Sequence, residues 1–463
     1  MARPAPLSGF PEWLPPQRMV EQQVIDSLRG TFESWGFAPI ETRAAEPLTE
    51  LLRKGEIDKE VYVLRRLHAE DAGAAEGDEA DAAKRLGLHF DLTVPFARYV
   101  LENSGKLQFP FRRYQIQKVW RGERPQEGRY REFCQADIDI VGAGELPFHH
   151  DVEIAQVMTE ALAALPVPPL TLQVNNRRLI EGFYLGLGAQ DVPAVMRAVD
   201  KLDKIGPDGV RDLLLTGGLS PAEAQACLDL AAICTPDSSF AERVGALGVK
   251  HDLLDQGIAE LVAVIDGAAA LAGERVRINA DLRIARGLDY YTGTVYETRM
   301  ASLEHLGSVC SGGRYESLAS DGSTTYPGVG ISFGLTRTLG PLFARGQLTA
   351  SRSVPTCVLV ALADEGSRVA AGRVAAALRR RGIAAEVAPS ADKFGKQIRY
   401  ADRRGIPFVW FPGAGDAPSG QVSSGSVKDI RSGEQVDADP ATWQPPAEDL
   451  TPRIVSRDQP DVR

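Results

Sequence analysis

The segment from Val119 to Gly142 constrains the fold of this chain more than any other part of the sequence. It reads VWRGERPQEGRYREFCQADIDIVG, in which two stretches of alternating apolar and polar residues flank a short loop. Alternation with a period of two is typical of a β-strand, and two such stretches joined by a short loop predict a hairpin. We therefore expect a pair of antiparallel strands here.

The loop of this hairpin is unusually rich in arginine. Guanidinium groups match phosphate oxygens bidentately and stay charged at any working pH. The loop arginines are Arg121, Arg124, Arg129 and Arg131. The polar side chains that the strands place nearby, with alternate residues on one face, are Glu123, Gln135, Asp137 and Asp139. We interpret the hairpin as an anion-binding site, and the alternative interpretation is a solvated charged hairpin.

Two later segments combine glycine with residues that can contact a ligand. Residues 283–297 read RIARGLDYYTGTVYE, and residues 311–337 contain SGGRYESL followed by YPGVGISFGLTR. Glycine inside a strand often marks the close approach of a ligand or another backbone, and buried tyrosine hydroxyls need partners. A structural edge strand is the alternative for 283–297. Neither a GxxxxGK[ST] loop nor a GxGxxG fingerprint is present, which argues against P-loop and Rossmann nucleotide binding.

The periodicity of the chain predicts an order of elements. Helices are expected at Gln17–Trp35, from near His150 to Leu165, and from Leu335 onward, and the whole of 86–142 is expected to form strands. Residues 176–272 are rich in Ala and Leu and predict a helical module inserted between strands. Beyond a linker at 351–355, strand and helix alternate as in an α/β unit with a parallel sheet. The tail from Asp439 is expected to be poorly ordered.

Composition and charge exclude several classes of protein. The five cysteines include no CxxC pair, so we expect neither a disulfide framework nor a thiolate zinc site. No run of about 18 apolar residues predicts a membrane span, and no apolar core near the start predicts a signal peptide. The net charge is −10, yet residues 368–404 carry ten basic residues against three acidic ones. The acidic segment 69–84 is interpreted as a solvated insertion.

Five motifs, taken in order, resemble those of the histidyl-tRNA synthetases, a family of class II aminoacyl-tRNA synthetases. They are Asp91-Leu92-Thr93, the arginine-rich hairpin, RGLDYYTG, SGGRYESL and GVGISFGLTR. The resemblance covers nearly the whole chain, and RGLDYYTG with GGRY separates histidyl enzymes from other class II members. It implies an α+β catalytic core, an antiparallel sheet flanked by helices, with a helical insertion and a C-terminal α/β domain. The implied divisions are 1–175 and 273–350 for the core, 176–272 for the insertion, 351–438 for anticodon binding and 439–463 for a flexible tail.

The resemblance also implies the reaction and the partners. Histidine and ATP would give histidyl-adenylate and pyrophosphate, and histidine would then pass to the 3′ end of tRNA(His). Mg²⁺ is expected with ATP, without a dedicated protein cage, and no metal-ligand set is implied. A cytoplasmic homodimer, joined through the N-terminal helix and its following strand, is expected.

The residues implied for ATP match the hairpin and the last glycine-rich segment. Arg121 would contact the α-phosphate, Glu123 the adenine amino group, and Arg129 the γ-phosphate. Phe133 and Arg337 would enclose the adenine ring. The catalytic residues implied are Arg121 and Arg286, the second of which faces the histidine carboxylate and the α-phosphate, where sister enzymes use a metal ion.

The residues implied for histidine follow the hydrogen-bonding groups of that amino acid. Neutral imidazole has one donor and one acceptor, which match Asp139 and Tyr291, with Tyr290 alongside. Asp91, Thr93 and Gln135 match residues around the α-amino group. Asp91 and Asp139 stand where many bacterial members have Glu. The full implied set is Asp91, Leu92, Thr93, Arg121, Gln135, Asp139, Arg286, Tyr290 and Tyr291.

The basic stretch within 368–404 lies in the domain that binds the anticodon in this family. Its two arginine- and lysine-bearing segments could supply phosphate contacts, which position RNA without specifying its sequence. The candidates are Arg379, Arg380, Lys393, Lys396 and Arg399. The alternative for each residue is a solvated helix surface.

A few features of the sequence suggest other sites or other functions. The spacing of His149, His150 and Glu153 is like that of metal ligands, but we interpret it as a helix start whose acids lie near the positive end. Cys134 has no histidine near it in sequence, and the chemistry needs no thiol. The main rival function is a synthetase-like regulatory subunit of the first enzyme of histidine biosynthesis, a class that usually lacks the C-terminal domain. An unrelated α/β enzyme would leave the basic stretch unexplained.

Overall fold

The computed structural model of the chain describes residues 4–52, 60–65, 85–284, 290–320, 322–413 and 424–457. The chain divides into two compact units, Met1–Pro11 with Val24–Pro341 and Glu12–Gln23 with Leu342–Arg463. The acidic segment 69–84 lies outside the described residues. None of the helices among the described residues is long and apolar enough to cross a membrane.

The first unit is built on a large sheet, which confirms the predicted class of fold. Its strands, with those of a small three-stranded sheet (β2, β4, β3), are β1 Ala38–Pro39, β2 Ala45–Pro47, β3 Val63–Leu64, β4 Leu86–Leu88, β5 Phe111–Trp120, β6 Glu132–Val141, β7 Leu170–Asn176, β8 Cys234–Thr235, β9 Val276–Asp281, β10 Thr294–Met300, β11 Cys310–Ser320 and β12 Thr325–Gly334. Among the described residues the large sheet has the order β1-β5-β6-β12-β11-β10-β7-β9-β8. The β1–β5 and β7–β9 pairs are parallel and the other pairs are antiparallel.

Helices flank this sheet and form the predicted insertion. They are α1 Pro15–Ser34, α2 Leu48–Leu51, α3 Thr93–Asn103, α4 His149–Ala163, α5 Arg177–Gly186, α6 Val192–Val199, α7 Leu202–Thr216, α8 Pro221–Ala231, α9 Phe240–Ala246, α10 Asp252–Ala269 and α11 Leu335–Ala344. The helices predicted at 17–35, after His150 and after Leu335 are confirmed. The side chain of Asn176 caps α5 by accepting from Arg178 N, and Ser220 caps α8 in a capping box.

The hairpin predicted between Val119 and Gly142 is present as β5 and β6. Its register pairs Phe111 with Val141 at one end and Trp120 with Glu132 at the other. Ile138 and Ile140 are fully buried on one face of β6, whereas Gln135, Asp137 and Asp139 alternate with them on the other face. The hairpin therefore supplies both core and polar site from one strand.

The prediction that all of 86–142 forms strands is wrong for residues 93–103, which form α3. The carboxylate of Asp91 accepts a hydrogen bond from Val94 N at 3.0 Å, which satisfies one of the free N–H groups of the first turn. Pro95 lies in that same turn, where a missing N–H costs little. Buried Phe96 and Val100, four residues apart, face the core. A short polar cap before an apolar helix had been interpreted as strand alternation.

The second unit contains the predicted α/β domain. Its elements are β13 Leu348–Ala350, β14 Val358–Val360, α12 Arg368–Arg380, β15 Ala385–Val387, α13 Phe394–Arg404, β16 Phe408–Pro412, β17 Gly425–Asp429, β18 Gln435–Ala438 and β19 Ile454–Ser456. The sheet order is β15-β14-β16-β17-β18, with β15, β14 and β16 parallel as predicted. The last two strands are antiparallel and were not predicted.

The expectation of a poorly ordered tail is wrong for residues 439–457, because this part of the chain has specific anchors. β19 pairs with β13, and the Arg352 guanidinium donates to Asp449 O at 2.8 Å. The Trp443 ring lies edge-on to the rings of Phe408 and Trp410. Residues 458–463 lie outside the described part.

Candidate active site

A cavity of about 130 Å³ opens beside the β5–β6 hairpin and the start of α11. Every residue that the sequence suggested for ATP lies in its wall, together with Gln135. These wall residues are Arg121, Glu123, Arg129, Phe133, Gln135 and Arg337. Residues separated by two hundred positions in the sequence are thus brought together around one space.

Two of the hairpin arginines are held by a shared carboxylate. Arg129 Nη1 lies 3.2 Å from Glu123 Oε2, and Arg121 Nη1 lies 3.8 Å from Glu123 Oε1. Arg121 Nε also donates to Phe90 O at 3.0 Å, and its guanidinium carbon lies 5.2 Å from the Phe133 ring centroid. The Arg121 guanidinium is therefore oriented by a carbonyl and a ring while part of it stays open to solvent.

The opposite wall is formed by the turn before β11 and the start of α11. Arg337 lies in the first turn of α11 and donates to Leu306 O. Gln135 Nε2 donates to Ser332 Oγ at 2.8 Å, which joins β6 to β12 at the floor of the cavity. Arg124, by contrast, is exposed and does not line the cavity.

Deeper along β6, three carboxylates are buried close together. Asp91, Asp137 and Asp139 are 7%, 3% and 5% exposed. Asp139 Oδ2 lies 2.6 Å from Arg113 Nη2, and Asp139 Oδ1 accepts from the Tyr315 hydroxyl at 2.8 Å. Because Arg113 is fully buried, this ion pair is screened little by solvent.

Glycine opposite Asp139 makes room for its carboxylate. Gly330 on β12 pairs directly with Asp139 on β6. A β-carbon at position 330 would lie 2.0 Å from Asp139 Oδ1, closer than any real contact. The glycine-rich segment that suggested a ligand site from the sequence therefore serves, at this position, the approach of a site residue.

The tyrosines of the RGLDYYTG motif lie beside these carboxylates. The rings of Tyr290 and Tyr291 are 5.1 Å apart, and Tyr290 stacks on Tyr315 at 5.9 Å. Removal from water raises the pKa of both hydroxyls, and the carboxylates of Asp139 and Asp91 raise them further. Both tyrosines are therefore neutral hydroxyls at working pH. The histidine candidates Asp139, Tyr290 and Tyr291 are thus brought together.

The buried carboxyl of Asp137 has a raised pKa. Burial raises its pKa to about 7, and the neighbouring carboxylates of Asp139 and Asp91 act in the same direction. The guanidinium of Arg113 and the hydroxyl of Ser332 oppose that rise.

The remaining histidine candidates divide between described and undescribed residues. Asp91 and Thr93 lie at the start of α3, where Thr93 is partly exposed. The Leu92 side chain is fully buried in the core, so only its main chain could meet a ligand. Arg286 lies outside the described residues.

Three residues of the site were missed by the sequence interpretation, namely Arg113, Tyr315 and Ser332. A signal for Arg113 existed, because a hairpin turning near Gln126 places it directly opposite Asp139, as an oppositely charged cross-strand pair. Tyr315 and Ser332 lie in glycine-rich motifs, but the sequence does not indicate that β11 and β12 bring them to β6.

The His149–His150 segment and Cys134, which the sequence interpretation did not assign to a site, both have structural contacts. The helix start predicted at His149–His150 is confirmed, and His150 Nδ1 lies 2.9 Å from Glu153 Oε2. The backbone N–H of Cys134 donates to Thr336 Oγ1 at 2.8 Å, so this residue ties β6 to α11.

The basic candidates of the second unit differ in what they contact. Arg379 Nη1 donates to Ala385 O at 2.7 Å, and Lys396 Nζ lies 3.1 Å from Asp392 Oδ1. Arg380, Lys393 and Arg399 are exposed, and within the described ranges no ion pair or hydrogen bond engages their side-chain cations. These last three are the cations most available to an external anion.

Comparison with known proteins agrees with this arrangement. The model of the histidyl-tRNA synthetase family matches residues 9–338, and that of an anticodon binding domain matches residues 356–441. The histidine–tRNA ligase of Cutibacterium acnes is 60% identical over 460 residues, covering 98% of this chain and 99% of the relative. The histidine–tRNA ligase of Xanthomonas campestris is 40% identical, covering 94% of each chain.

Solved structures show the same likeness. The histidyl-tRNA synthetase of Nostoc sp. PCC 7120 superimposes with a TM-score of 0.81 at 34% identity, covering 95% of this chain and 97% of the other. An ATP phosphoribosyltransferase regulatory subunit/histidyl-tRNA synthetase from Bacillus halodurans gives a TM-score of 0.68 at 19% identity, covering 85% and 96%. At that identity the second likeness concerns the fold alone.

Proposed function

This chain belongs to the histidyl-tRNA synthetase family, and we propose that its active site has two halves with different physical characters. The chain activates histidine with ATP to form histidyl-adenylate and pyrophosphate, and then transfers histidine to the 3′ end of tRNA(His). The ATP half comprises Arg121, Glu123, Arg129, Phe133 and Arg337. The histidine half comprises the buried group around Asp139.

In the ATP half, arginine side chains neutralise the charge of the phosphates. Adenylate formation is an in-line displacement at the α-phosphorus, so catalysis rests on positioning and on charge stabilisation. Arg121, oriented by Phe90 O and the Phe133 ring, would hold the α-phosphate. Arg129, on the exposed side of Glu123, would hold the γ-phosphate, and Phe133 with Arg337 would enclose adenine. ATP binding would release both arginines from Glu123, which could then accept from the adenine amino group.

In the histidine half, the polar groups match the imidazole ring. Neutral imidazole needs one acceptor and one donor, which Asp139 and the Tyr291 hydroxyl would supply, with Tyr290 alongside. Arg113 and Tyr315 hold the Asp139 carboxylate in one orientation. A pocket of such groups rejects analogues that cannot pair with them by about 10⁴–10⁵. The observation that carries this proposal is the single strand β6, which presents Gln135 to the ATP cavity and Asp139 to the buried pocket.

Arg286 and Mg²⁺ complete the proposed machinery. The sequence match assigns Arg286 to the histidine carboxylate and the α-phosphate, and a guanidinium there would stabilise charge developing during the displacement. Mg²⁺ would enter with ATP and keep phosphate and water ligands. Among the described residues no group of three or more His, Cys, Asp or Glu is placed to hold a metal ion.

The second unit is proposed to bind the anticodon arm, since its family match is an anticodon binding domain. We propose Arg380, Lys393 and Arg399 for phosphate contacts, and a lesser role for Arg379 and Lys396, which have internal partners. We further propose the core, insertion and anticodon divisions expected from the sequence. A homodimer, working in the cytoplasm where tRNA is charged, completes the proposal.

Histidine-dependent ATP–pyrophosphate exchange tests this function. The chain, with and without Arg286→Ala, would be screened against all twenty amino acids. Exchange with histidine alone, lost in the variant, is the expected result. Histidine binding without exchange by any amino acid would contradict the proposal and favour a regulatory protein.

A further inference from the structure

Asp137 occupies a position in the histidine half that the family match leaves without a role. It lies on β6 between Gln135 and Asp139, and the pleat points all three side chains to the same face. Its direct neighbours across the sheet are Gln115 on β5 and Ser332 on β12. Asp137 therefore lies between the floor of the ATP cavity and the proposed imidazole pocket.

Two hydrogen-bond acceptors on this face have no donor among the residues that the structure describes. Asp137 Oδ1 and Gln135 Oε1 are both buried, and within the described residues neither accepts a hydrogen bond. Buried acceptors are nearly always paired, and each unpaired one costs free energy. Gln135 Nε2 is already committed to Ser332 Oγ, so only the amide oxygen of Gln135 is left to accept from a ligand. Two neighbouring orphan acceptors indicate a ligand with more than one N–H donor.

The charges of the described residues in this half favour a cationic ligand. Among the described residues, Asp137 is buried within reach of the carboxylates of Asp139 and Asp91 and of one guanidinium, that of Arg113. Arg113 is already engaged by Asp139 at 2.6 Å. A buried carboxylate is stable as an ion only when a positive partner or several donors face it. Neutral imidazole, with a single donor, does not meet this need.

We propose that Asp137 Oδ1, together with Gln135 Oε1, accepts hydrogen bonds from the α-ammonium of the histidine substrate. This inference rests on the proposed histidine half. An ammonium has three N–H donors, so it can also meet Asp91, which the sequence match assigns, with Gln135, to the surroundings of the α-amino group. Asp137 thereby selects an α-amino acid, while Asp139 and Tyr291 select imidazole.

The inference predicts that histidine binding depends on pH, because Asp137 can be protonated before histidine binds. The groups among the described residues that act on it or that it acts on are Asp91 before α3, Arg113 on β5, Asp139 on β6, Tyr291 before β10, Cys310 on β11 and Ser332 on β12. The pKa of about 7 means that acid converts Asp137 to a neutral carboxyl in the free protein. Histidine should therefore bind more weakly as the pH falls through 7, because the ammonium loses its anionic partner.

The test uses the full chain with Asp137→Asn and, as a matched control, Asp208→Asn. The Asp208 side chain is 94% exposed on α7 and far in sequence from β6. Calorimetric titration at pH 8 would use three ligands: L-histidine, L-histidinol, which keeps the ammonium but lacks the carboxylate, and 3-(imidazol-4-yl)propanoate, which lacks the ammonium. Thermal unfolding of each variant would establish that it is folded.

In Asp137→Asn, Kd should rise at least about tenfold for histidine and histidinol, the range of a lost charged hydrogen bond. Kd for the propanoate should stay within about twofold, and Asp208→Asn should leave all three ligands unchanged. Equal weakening of all three ligands, or no weakening of any, would overturn the inference.

The pH dependence is measured as a ratio of two Kd values, so that the titration of the ligand itself cancels. The ratio of the histidine Kd of Asp137→Asn to that of the wild type should fall about tenfold between pH 8 and pH 6, since only the wild type loses a charge. A ratio that does not vary with pH would contradict the inference. Wild-type exchange activity with histidine separates this outcome from failure of the proposed function.

Discussion

The two halves of the active site use charge in opposite ways. In the ATP half, Arg121 and Arg129 are partly exposed and share the single carboxylate of Glu123. In the histidine half, three carboxylates are buried, and in the described part of the pocket the buried guanidinium of Arg113 pairs with only one of them, Asp139. The first half has a surplus of partly exposed cations for a polyanion, and the second has a surplus of buried acceptors for a small cation.

The difference lies in how each half is prepared for its ligand. Exposed arginines can exchange Glu123 for phosphate at little cost, because an exposed ion pair contributes at most about 1 kcal/mol. Buried carboxylates cannot move or hydrate, so their geometry is set by the sheet before histidine arrives. We therefore expect substitutions in the buried half to reduce stability as well as histidine binding, and those in the open half to reduce ATP binding or catalysis without a loss of stability.

The largest expected effect is on folding, from Arg113→Met. Removing one partner of a buried ion pair leaves Asp139 uncompensated and should lower the free energy of unfolding by about 3–5 kcal/mol. Chemical denaturation measures this loss.

The control is Arg112→Met, the next residue along β5, whose side chain is 32% exposed and pairs with Glu153. It should cost no more than about 1 kcal/mol. If both variants lost the same free energy of unfolding, the buried ion pair would matter no more than the exposed one, and the comparison would fail.

The next effect is on catalysis, from Arg121→Ala. Loss of a donor that stabilises the developing charge should lower the exchange rate about 10²–10³-fold, with little change in the unfolding midpoint. Steady-state exchange kinetics and thermal unfolding give the two numbers.

Arg124→Ala serves as the control within the same loop, because Arg124 does not line the cavity. Its kcat should remain within about threefold of the wild type, as is usual for a solvated surface side chain. A rate as low as that of Arg121→Ala would mean that the loop acts through its total charge and not through one oriented arginine.

The smallest expected effect comes from Tyr315→Phe, which removes the hydroxyl that donates to Asp139 Oδ1 at 2.8 Å. A buried carboxylate oxygen left without this donor should lower the free energy of unfolding by about 1–3 kcal/mol and weaken histidine binding. Denaturation and histidine titration measure the two changes.

Tyr114→Phe removes a comparable hydrogen bond, 2.6 Å from Tyr114 to the exposed Glu33 on α1, outside the pocket. Histidine binding should be unaffected by that change. If both tyrosine variants bind histidine as the wild type does, Tyr315 does not orient Asp139 for the ligand.

The sequence predicted the fold well where one element carries the signal. The β5–β6 hairpin shows period-two alternation on both strands, and its arginines and acids lie within a few residues of one another. An anion-binding hairpin could therefore be predicted before the fold was known, and the family resemblance then supplied the individual ATP candidates. The helix at 93–103 could not, because a cap provided by Asp91 and an apolar face look like strand alternation over a short window.

Contacts between elements that are distant in the sequence could not be predicted from it. Nothing in the motif around Ser332 indicates that β12 places it opposite Asp137, or that Gly330 leaves space for Asp139. The basic stretch at 368–404 differs in the other direction. Its sequence suggests many cations available to RNA, but several of them have partners within the chain. Arg381, for example, donates to Pro440 O at 3.0 Å and Trp443 O at 2.7 Å, and so anchors the segment expected to be flexible.

The most direct test of the two-half site is a pair of binding measurements on one residue from each half. Tyr291→Phe and Arg129→Ala would each be titrated calorimetrically with histidine alone and with ATP alone. The account predicts that Tyr291→Phe raises the histidine Kd about tenfold or more and leaves ATP within twofold, because a buried partner of imidazole is lost. Arg129→Ala should do the reverse. If either variant weakened both ligands to the same extent, the two halves would not be separate, and the account would be contradicted.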